Sequence, residues 1–160
     1  MRMRPANFPT IRIAQLASLL SHRQHLFQSI LDASSKDAAT FFTIEQSEYW
    51  QTHYRFDKKS KKGIQGIGDQ SSKILSINVA AVLLVAYGHY TNNELYIEKA
   101  LNFLEAQKPE KNAITRQWQA LGINLTSAAE SQGAIELFNN YCKDRRCLQC
   151  NIGSQILAGA

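Results

Sequence analysis

Three thiols fall close together near the end of the chain, at Cys142, Cys147 and Cys150. Soft thiolates at that spacing can face one soft metal if the backbone turns between them. Structural zinc takes four ligands, so His22, His25, His53 or His89, or a ligand from another chain, has to complete such a site. The spacing also matches part of a plant-type iron–sulfur pattern, whose distant fourth cysteine is missing here. Against both stands the plainer reading that these are free thiols packing as small hydrophobes behind the last helix. Arg145 and Arg146 would favour thiolate in either case.

A second constellation runs from Tyr49 to Lys62, Tyr-Trp-Gln-Thr-His-Tyr-Arg-Phe-Asp-Lys-Lys-Ser-Lys-Lys. Aromatic faces stack bases and cations hold phosphates, so Trp50 with Lys58, Lys59, Lys61 and Lys62 forms a candidate nucleic-acid surface, joined by Arg2 and Arg4 at the start of the chain. The competing expectation puts Trp50, Tyr54 and Phe56 in the core and leaves the lysines as a solvated loop. Gly63-Ile64-Gln65-Gly66-Ile67-Gly68 follows, a glycine-rich turn entering a helix whose free amides could hold a phosphate. Asp69 stands where a phosphate-binding loop needs Lys, and no strand precedes the turn. Gly66-Ile67-Gly68 is similar to the hairpin of helix-hairpin-helix modules, but residues 58–63 are too charged and glycine-interrupted to supply that motif's first helix. A connection with glycines at its turns is the favoured reading. For catalysis the inventory is thin, with no Gly-x-Ser-x-Gly elbow, no His-Glu-x-x-His and no bracketed carboxylate pair. His22 and His25 sit i, i+3 and read as a surface pair.

The elements that must position these groups are helical. Ile13, Leu16, Ala17 and Leu20 form one i, i+3, i+4, i+7 set, and Ile97, Ala100, Leu101 and Leu104 another. No segment alternates as a strand. Capping signals at Thr10, Ser21 with Gln24, Thr91 with Glu94, and Ser127 with Glu130 place helices near 10–20, 22–33, 37–54, 71–88, 92–106, 113–121 and 127–141. Residues 74–86 are apolar on nearly every face, which predicts a central helix, about 71–88, surrounded by the others, with Asn78 needing a partner. Residues 58–68 lack helical signals, and Pro109 ends the helix before it. The expectation is an all-α single domain, 1–160, of six or seven helices.

Composition bounds the function. The chain has 160 residues, 44% of them hydrophobic and 19% charged, which excludes a disordered or collagen-like chain. Eighteen Lys and Arg against thirteen Asp and Glu give a net charge of +5, a balance suited to polyanions. The bases are segregated: Arg2, Arg4, Arg12 and Arg23 all precede the first acid, Asp32, and others gather at 51–73 and 142–146. Three clustered cysteines do not form a disulfide framework, which points to a reducing cytoplasm. Pro9, Arg12 and Gln15 interrupt what would be a signal-peptide core, and the apolar run 74–87 falls short of a membrane span, so no membrane association is expected.

Arg4-Pro5-Ala6-Asn7-Phe8-Pro9-Thr10-Ile11-Arg12-Ile13-Ala14-Gln15-Leu16, Tyr87-Gly88, and the ending Tyr141-Cys142-x-x-x-Arg146-Cys147-Leu148-x-Cys150-x-Ile152-Gly153 together resemble the C-terminal region of the domain-of-unknown-function 2851 proteins, over nearly the whole chain. Those bacterial proteins are longer and have no assigned activity. Their upstream part resembles a restriction-endonuclease-type nuclease core with an acidic metal site. The resemblance therefore implies a nucleic-acid-associated accessory region and no catalytic residue at any position here. Residues 147–153 also resemble a zinc knuckle, in which the glycine lets the backbone fold back toward the sulfurs.

Three expectations result. The first is a helical module that binds nucleic acid or accompanies a nuclease, through Arg2, Arg4, Trp50, Lys58, Lys59, Lys61 and Lys62, with no catalytic site of its own. The second is a structural half-domain whose apolar face docks on a missing N-terminal partner domain or chain. The third is zinc stabilisation through Cys142, Cys147 and Cys150.

Overall fold

The computed structural model describes residues 8–64 and 66–159, so Arg2 and Arg4 lie outside the described residues. The chain divides into two compact units, Met1–Phe103 and Leu104–Ala160. Eight helices dominate the described residues, and the only sheet among them is one two-stranded hairpin.

In the first unit, α1 (Pro9–His22) has Pro9 at its first position, where a missing amide costs nothing. Thr10 is not its cap but lies inside it, its hydroxyl donating to the Tyr54 carbonyl. α2 (Leu26–Asp32) follows His25, which turns the chain in the left-handed region at φ 58°. His22 and His25 therefore do not share a helix, and Ser21 donates back to the Ser18 carbonyl rather than capping α2. The helix expected over 37–54 is broken. A short 3₁₀ turn occupies Ser35–Asp37, and Ile44 makes a two-residue bridge with Ile67. Only then comes α3 (Glu48–Thr52), leading into β1 (His53–Arg55) and β2 (Lys58–Lys59).

The predicted central helix is α4, Asp69–Thr91. A single π turn, Ser76–Ala80, lies inside it. It is not surrounded on all sides. Ser72, Ser76, Ala80, Leu84 and Gly88, each four residues on, are buried, while Ile74 and Val82 on the reverse face are 50% and 59% exposed. The small residues explain which face packs, because they let the backbone of residues 38–42 come close. Phe42 N donates to Ser72 Oγ at 2.9 Å, and Ser76 Oγ donates to the Ala38 carbonyl. At Gly88 a Cβ would sit 2.8 Å from Ile97 Cγ1, so only glycine admits the next helix there. Asn78 is exposed, and its Nδ2 meets its need by donating to the Ile74 carbonyl at 2.9 Å. By length and composition alone α4 could cross a membrane, with 23 residues and a mean hydropathy of 1.5 in its best window. Within its own unit it supplies Ile77, Ala80, Ala81 and Leu84 to a buried set that also holds Ile11, Leu19, Ile30, Phe42 and Phe103.

α5 (Glu94–Glu105) is capped by Asn93, whose Oδ1 accepts from Leu95 N at 3.1 Å, and not by Thr91. In the second unit, Asn112 caps α6 (Ala113–Ala120) by accepting from Thr115 N at 3.0 Å. Ser127 caps α7 (Ala128–Leu137) as expected, accepting from Glu130 N at 3.2 Å. A π turn, Phe138–Cys142, prolongs α7. Trp118 is half-buried, its indole donating to the Ala134 carbonyl at 3.0 Å. The periodicity missed α8 (Asn151–Ala158), which follows the 3₁₀ turn Cys147–Gln149.

Candidate nucleic-acid interface

The aromatic and basic residues of 49–62 are folded onto one small substructure. α3 is a helix of five residues, too short to bury a face of its own, and its last turn runs directly into β1. The chain reverses at Asp57, in the left-handed region at φ 57°, where Asp is among the residues best able to sit. Asp57 N donates to Tyr49 Oη at 3.2 Å, tying the turn back to the helix. β2 then pairs antiparallel with β1, His53 opposite Lys59 and Arg55 opposite Lys58, with an irregularity between them. Beyond β2, Ser60 N donates to the Thr52 carbonyl and Ile64 N to the Gln51 carbonyl, both at 2.8 Å. The lysine loop is thereby held against the end of α3.

This geometry brings four rings together at the surface. Tyr49 lies flat on His53, centroids 4.1 Å apart with 3° between the planes. Trp50 meets Tyr49 and Phe56 edge-on at 5.1 and 5.2 Å. Phe56 is 69% exposed and Tyr49 40%, whereas Trp50 and Tyr54 are half-buried. Phe56 therefore does not fill the core, which corrects the expectation that this aromatic set is internal. Lys58, Lys59, Lys61 and Lys62 are all exposed, as is Arg55. The sole ion pair among the described residues joins Arg146 to Asp144, so none of these five cations is neutralised by a carboxylate there. The structure brings Trp50 and the four lysines into one neighbourhood. Sequence reasoning left Tyr49, His53 and Phe56 out of the binding set. Their signal was the i, i+4 spacing of Tyr49 and His53 and the position of Phe56 in a turn.

In the glycine-rich segment Gly66 is fixed by packing. Ile44 and Ile67 exchange both backbone hydrogen bonds, at 3.0 and 3.1 Å, across from Gly66. A Cβ on Gly66 would lie 1.9 Å from the Ile44 carbonyl oxygen, so glycine here serves close approach. Beside this bridge lies an open cleft of about 810 Å³, lined by apolar Ile44, Ile64 and Ile67 as well as by polar Thr43, Glu45 and Gln46. A separate, apolar groove of about 500 Å³ lies where Leu16 and Leu19 of α1 face Ile74 and Val79 of α4.

The cysteines sit in the second unit. Cys142 and Cys147 are exposed and Cys150 is buried, all three as free thiols. Among the described residues no group of three or more His, Cys, Asp or Glu is placed so that it could hold a metal ion. Gly153 does let the chain fold back: a Cβ there would lie 2.5 Å from the Cys147 carbonyl oxygen. Lost hydration, then the nearby Cys150 and Cys147 sulfurs, hold the Cys142 thiol above its ordinary range, opposite to the effect expected of Arg145 and Arg146.

Fold and surface together describe a mostly helical chain that displays a basic aromatic hairpin. The chain belongs to the family described as protein of unknown function (DUF2851), whose model matches residues 1–113. The match contains every residue of the hairpin and stops short of the cysteine-bearing ending, which the resemblance in sequence had included. No curated protein and no solved structure matches the chain.

Proposed function

We propose that this chain is a nucleic-acid-binding module whose contact surface is the α3–β1–β2 hairpin and the loop that follows it. The observation that supports this reading is the combination of exposed rings at Tyr49 and Phe56 with exposed, unneutralised cations at Arg55, Lys58, Lys59, Lys61 and Lys62. Rings stack on unpaired bases, and five cations on a short hairpin follow a phosphate backbone, so a single strand is the natural ligand. Trp50 supports the exposed rings edge-on and stiffens the platform. The test is fluorescence anisotropy with a labelled single strand across a salt series, comparing the chain with a variant carrying Lys58, Lys59, Lys61 and Lys62 as Gln. Five phosphate contacts give a log–log slope of about −3.5, a loss of roughly a hundredfold from 50 to 200 mM salt, and the variant should fall to about −0.7. Equal binding by the variant would end the proposal.

A second reading has its own observation. The groove between α1 and α4 exposes Leu16, Ile74 and Val79, and Ile13, Leu20 and Val82 are exposed on the same two helices. On this reading the groove takes an apolar helix from the N-terminal partner part that the family resemblance implies. The chain alone should then self-associate, and Leu16→Glu with Ile74→Glu should return it to a monomer. A clean monomer at high concentration without those changes would count against it.

A further inference from the structure

Cys147 and Cys150 stand at the two ends of one hydrogen-bonded turn. Cys150 N donates to the Cys147 carbonyl at 3.3 Å and closes it, while Gln149 N donates to the Arg146 carbonyl at 3.0 Å. A turn closed in this way keeps its first and fourth Cα atoms within roughly 7 Å, and disulfides span Cα separations of roughly 4.4–6.8 Å. Both cysteines are also anchored to α8. Ser154 N donates to the Cys150 carbonyl at 2.8 Å. At Gly153 a Cβ would lie 2.5 Å from the Cys147 carbonyl oxygen and 3.0 Å from its Cα, so the first turn of α8 rests directly on the Cys147 backbone. A bond between the two sulfurs therefore joins residues that the backbone already holds as neighbours.

Exposure gives the two thiols different roles. Cys147 is exposed, so a dissolved reagent reaches it, whereas Cys150 is 9% exposed and is reached best from within its own turn. Thiol–disulfide exchange needs that order: an accessible thiolate attacks, and a second thiol close behind it resolves the mixed disulfide. The third sulfur is set apart. Cys142 ends the π turn that prolongs α7, and the chain reverses at Arg145, φ 55°, before it reaches Cys147. Lost hydration, then the Cys150 and Cys147 sulfurs, hold the Cys142 thiol above its ordinary range, which leaves less of it as attacking thiolate.

We infer that Cys147 and Cys150 form a redox-active dithiol whose substrates are small disulfides, the exposed thiol attacking and the buried one resolving. The Cys147 thiolate attacks one sulfur of a disulfide RSSR, so that a Cys147–SR bond forms, the S–S bond of the reagent breaks and one RS⁻ leaves. The Cys150 thiolate then attacks Cys147 Sγ, the Cys147–SR bond breaks, and the second RS⁻ leaves. The two protons given up by the cysteines pass to the two RS⁻. The dithiol is thereby oxidised by two electrons to a disulfide while RSSR is reduced to two RSH, and an excess of RSH drives the same steps backwards.

The full chain should be incubated with oxidised glutathione, quenched in acid, unfolded and alkylated with N-ethylmaleimide, and its intact mass measured, with proteolytic mapping of the labelled positions. The parent should lose two reactive thiols, keep the label on Cys142 and retain no glutathione. Cys150→Ser should instead accumulate one glutathione on Cys147, because no thiol is left to resolve it. Cys147→Ser should keep Cys150 reduced, and Cys142→Ser should oxidise as the parent does. Melting curves establish that the variants fold, and the mapped bridge in the parent decides the matter without them. A lasting glutathione adduct on the parent, a bridge that includes Cys142, or three thiols still reactive after incubation would each overturn the dithiol.

Discussion

Gly66→Ala gives the sharpest test of how this site is built. The added methyl would lie 1.9 Å from the Ile44 carbonyl oxygen, 2.8 Å from its carbon and 3.0 Å from Gln46 N, all of them backbone atoms that cannot rotate away. Relief requires residues 44–46 and 66–67 to separate, which breaks the two hydrogen bonds of the bridge and strains the one from Gln15 Nε2 to the Gly66 carbonyl at 3.0 Å. Each bond contributes about 1 kcal/mol net. Loosening Ile67, 6% exposed, removes part of a buried side chain worth about 1.5–3 kcal/mol. The sum is about 3 kcal/mol, which for a unit of this size lowers the melting temperature by roughly 10–20 °C. Gly68→Ala is the matched control, because its Cβ meets nothing within 4 Å and its φ of −81° suits any residue. It should melt within a few degrees of the parent chain. Far-UV circular dichroism melts of the three proteins decide the matter. A Gly66→Ala variant that melts with the control would mean that the close approach at Gly66 does not fix the bridge.

Other consequences of the structure can be measured alongside. Ser72→Ala leaves the buried Phe42 N–H without its acceptor and should cost about 1–3 kcal/mol by urea unfolding, whereas an unchanged midpoint would show that this bond is dispensable. Phe56→Ala should leave the melting temperature nearly unchanged, since the ring is 69% exposed, yet weaken single-strand binding by about 1–3 kcal/mol if the ring stacks a base. Unaltered affinity would remove Phe56 from the contact surface. The Asp37 carboxyl is held below its ordinary 3.8 by hydrogen bonds from the Ser34 side chain and backbone, and Glu130 below its ordinary 4.5 by those from Thr126. Depressed folded values contribute stability that is present above the unfolded values and lost as pH falls through the folded ones. Acid should therefore lower the melting temperature more steeply in the parent than in Asp37→Asn with Glu130→Gln, and parallel acid profiles would refute this.

The helices were legible where apolar period and capping agreed. Ala113–Ala120 falls within a residue of its expected limits, and Ala128–Leu137 reaches its expected end only through the π turn that prolongs it to Cys142. The expected helix over 37–54 failed because its apolar positions are spent differently. Ala38, Phe41 and Phe42 are buried in a non-helical segment, and Ile44 turns to the bridge. Local periodicity cannot see a partner at Ile67, more than twenty residues on. The hairpin escaped for a related reason: strands of three and two residues have no room to alternate, and their pairing is fixed by Asp57 and the Tyr49 hydroxyl rather than by pattern.

The candidate site divides along the same line. Its charges were legible, because four lysines so close together find few places but the surface. The rings were ambiguous, since burial depends on tertiary neighbours, and the structure divides them by position: Phe56 at the turn is exposed, while Trp50, on the helix behind it, is half-buried. Gln46 carried no signal at all. A glutamine between Glu45 and Ser47 reads as surface, yet it is buried, two residues from the bridge. Gly66 makes the bridge possible: any larger residue would hold Ile44 off. The glycine-rich turn thus acts through packing: the close approach at Gly66 lets Ile44 and Ile67 pair, and that pairing fixes the backbone of residues 44–46 and 66–67.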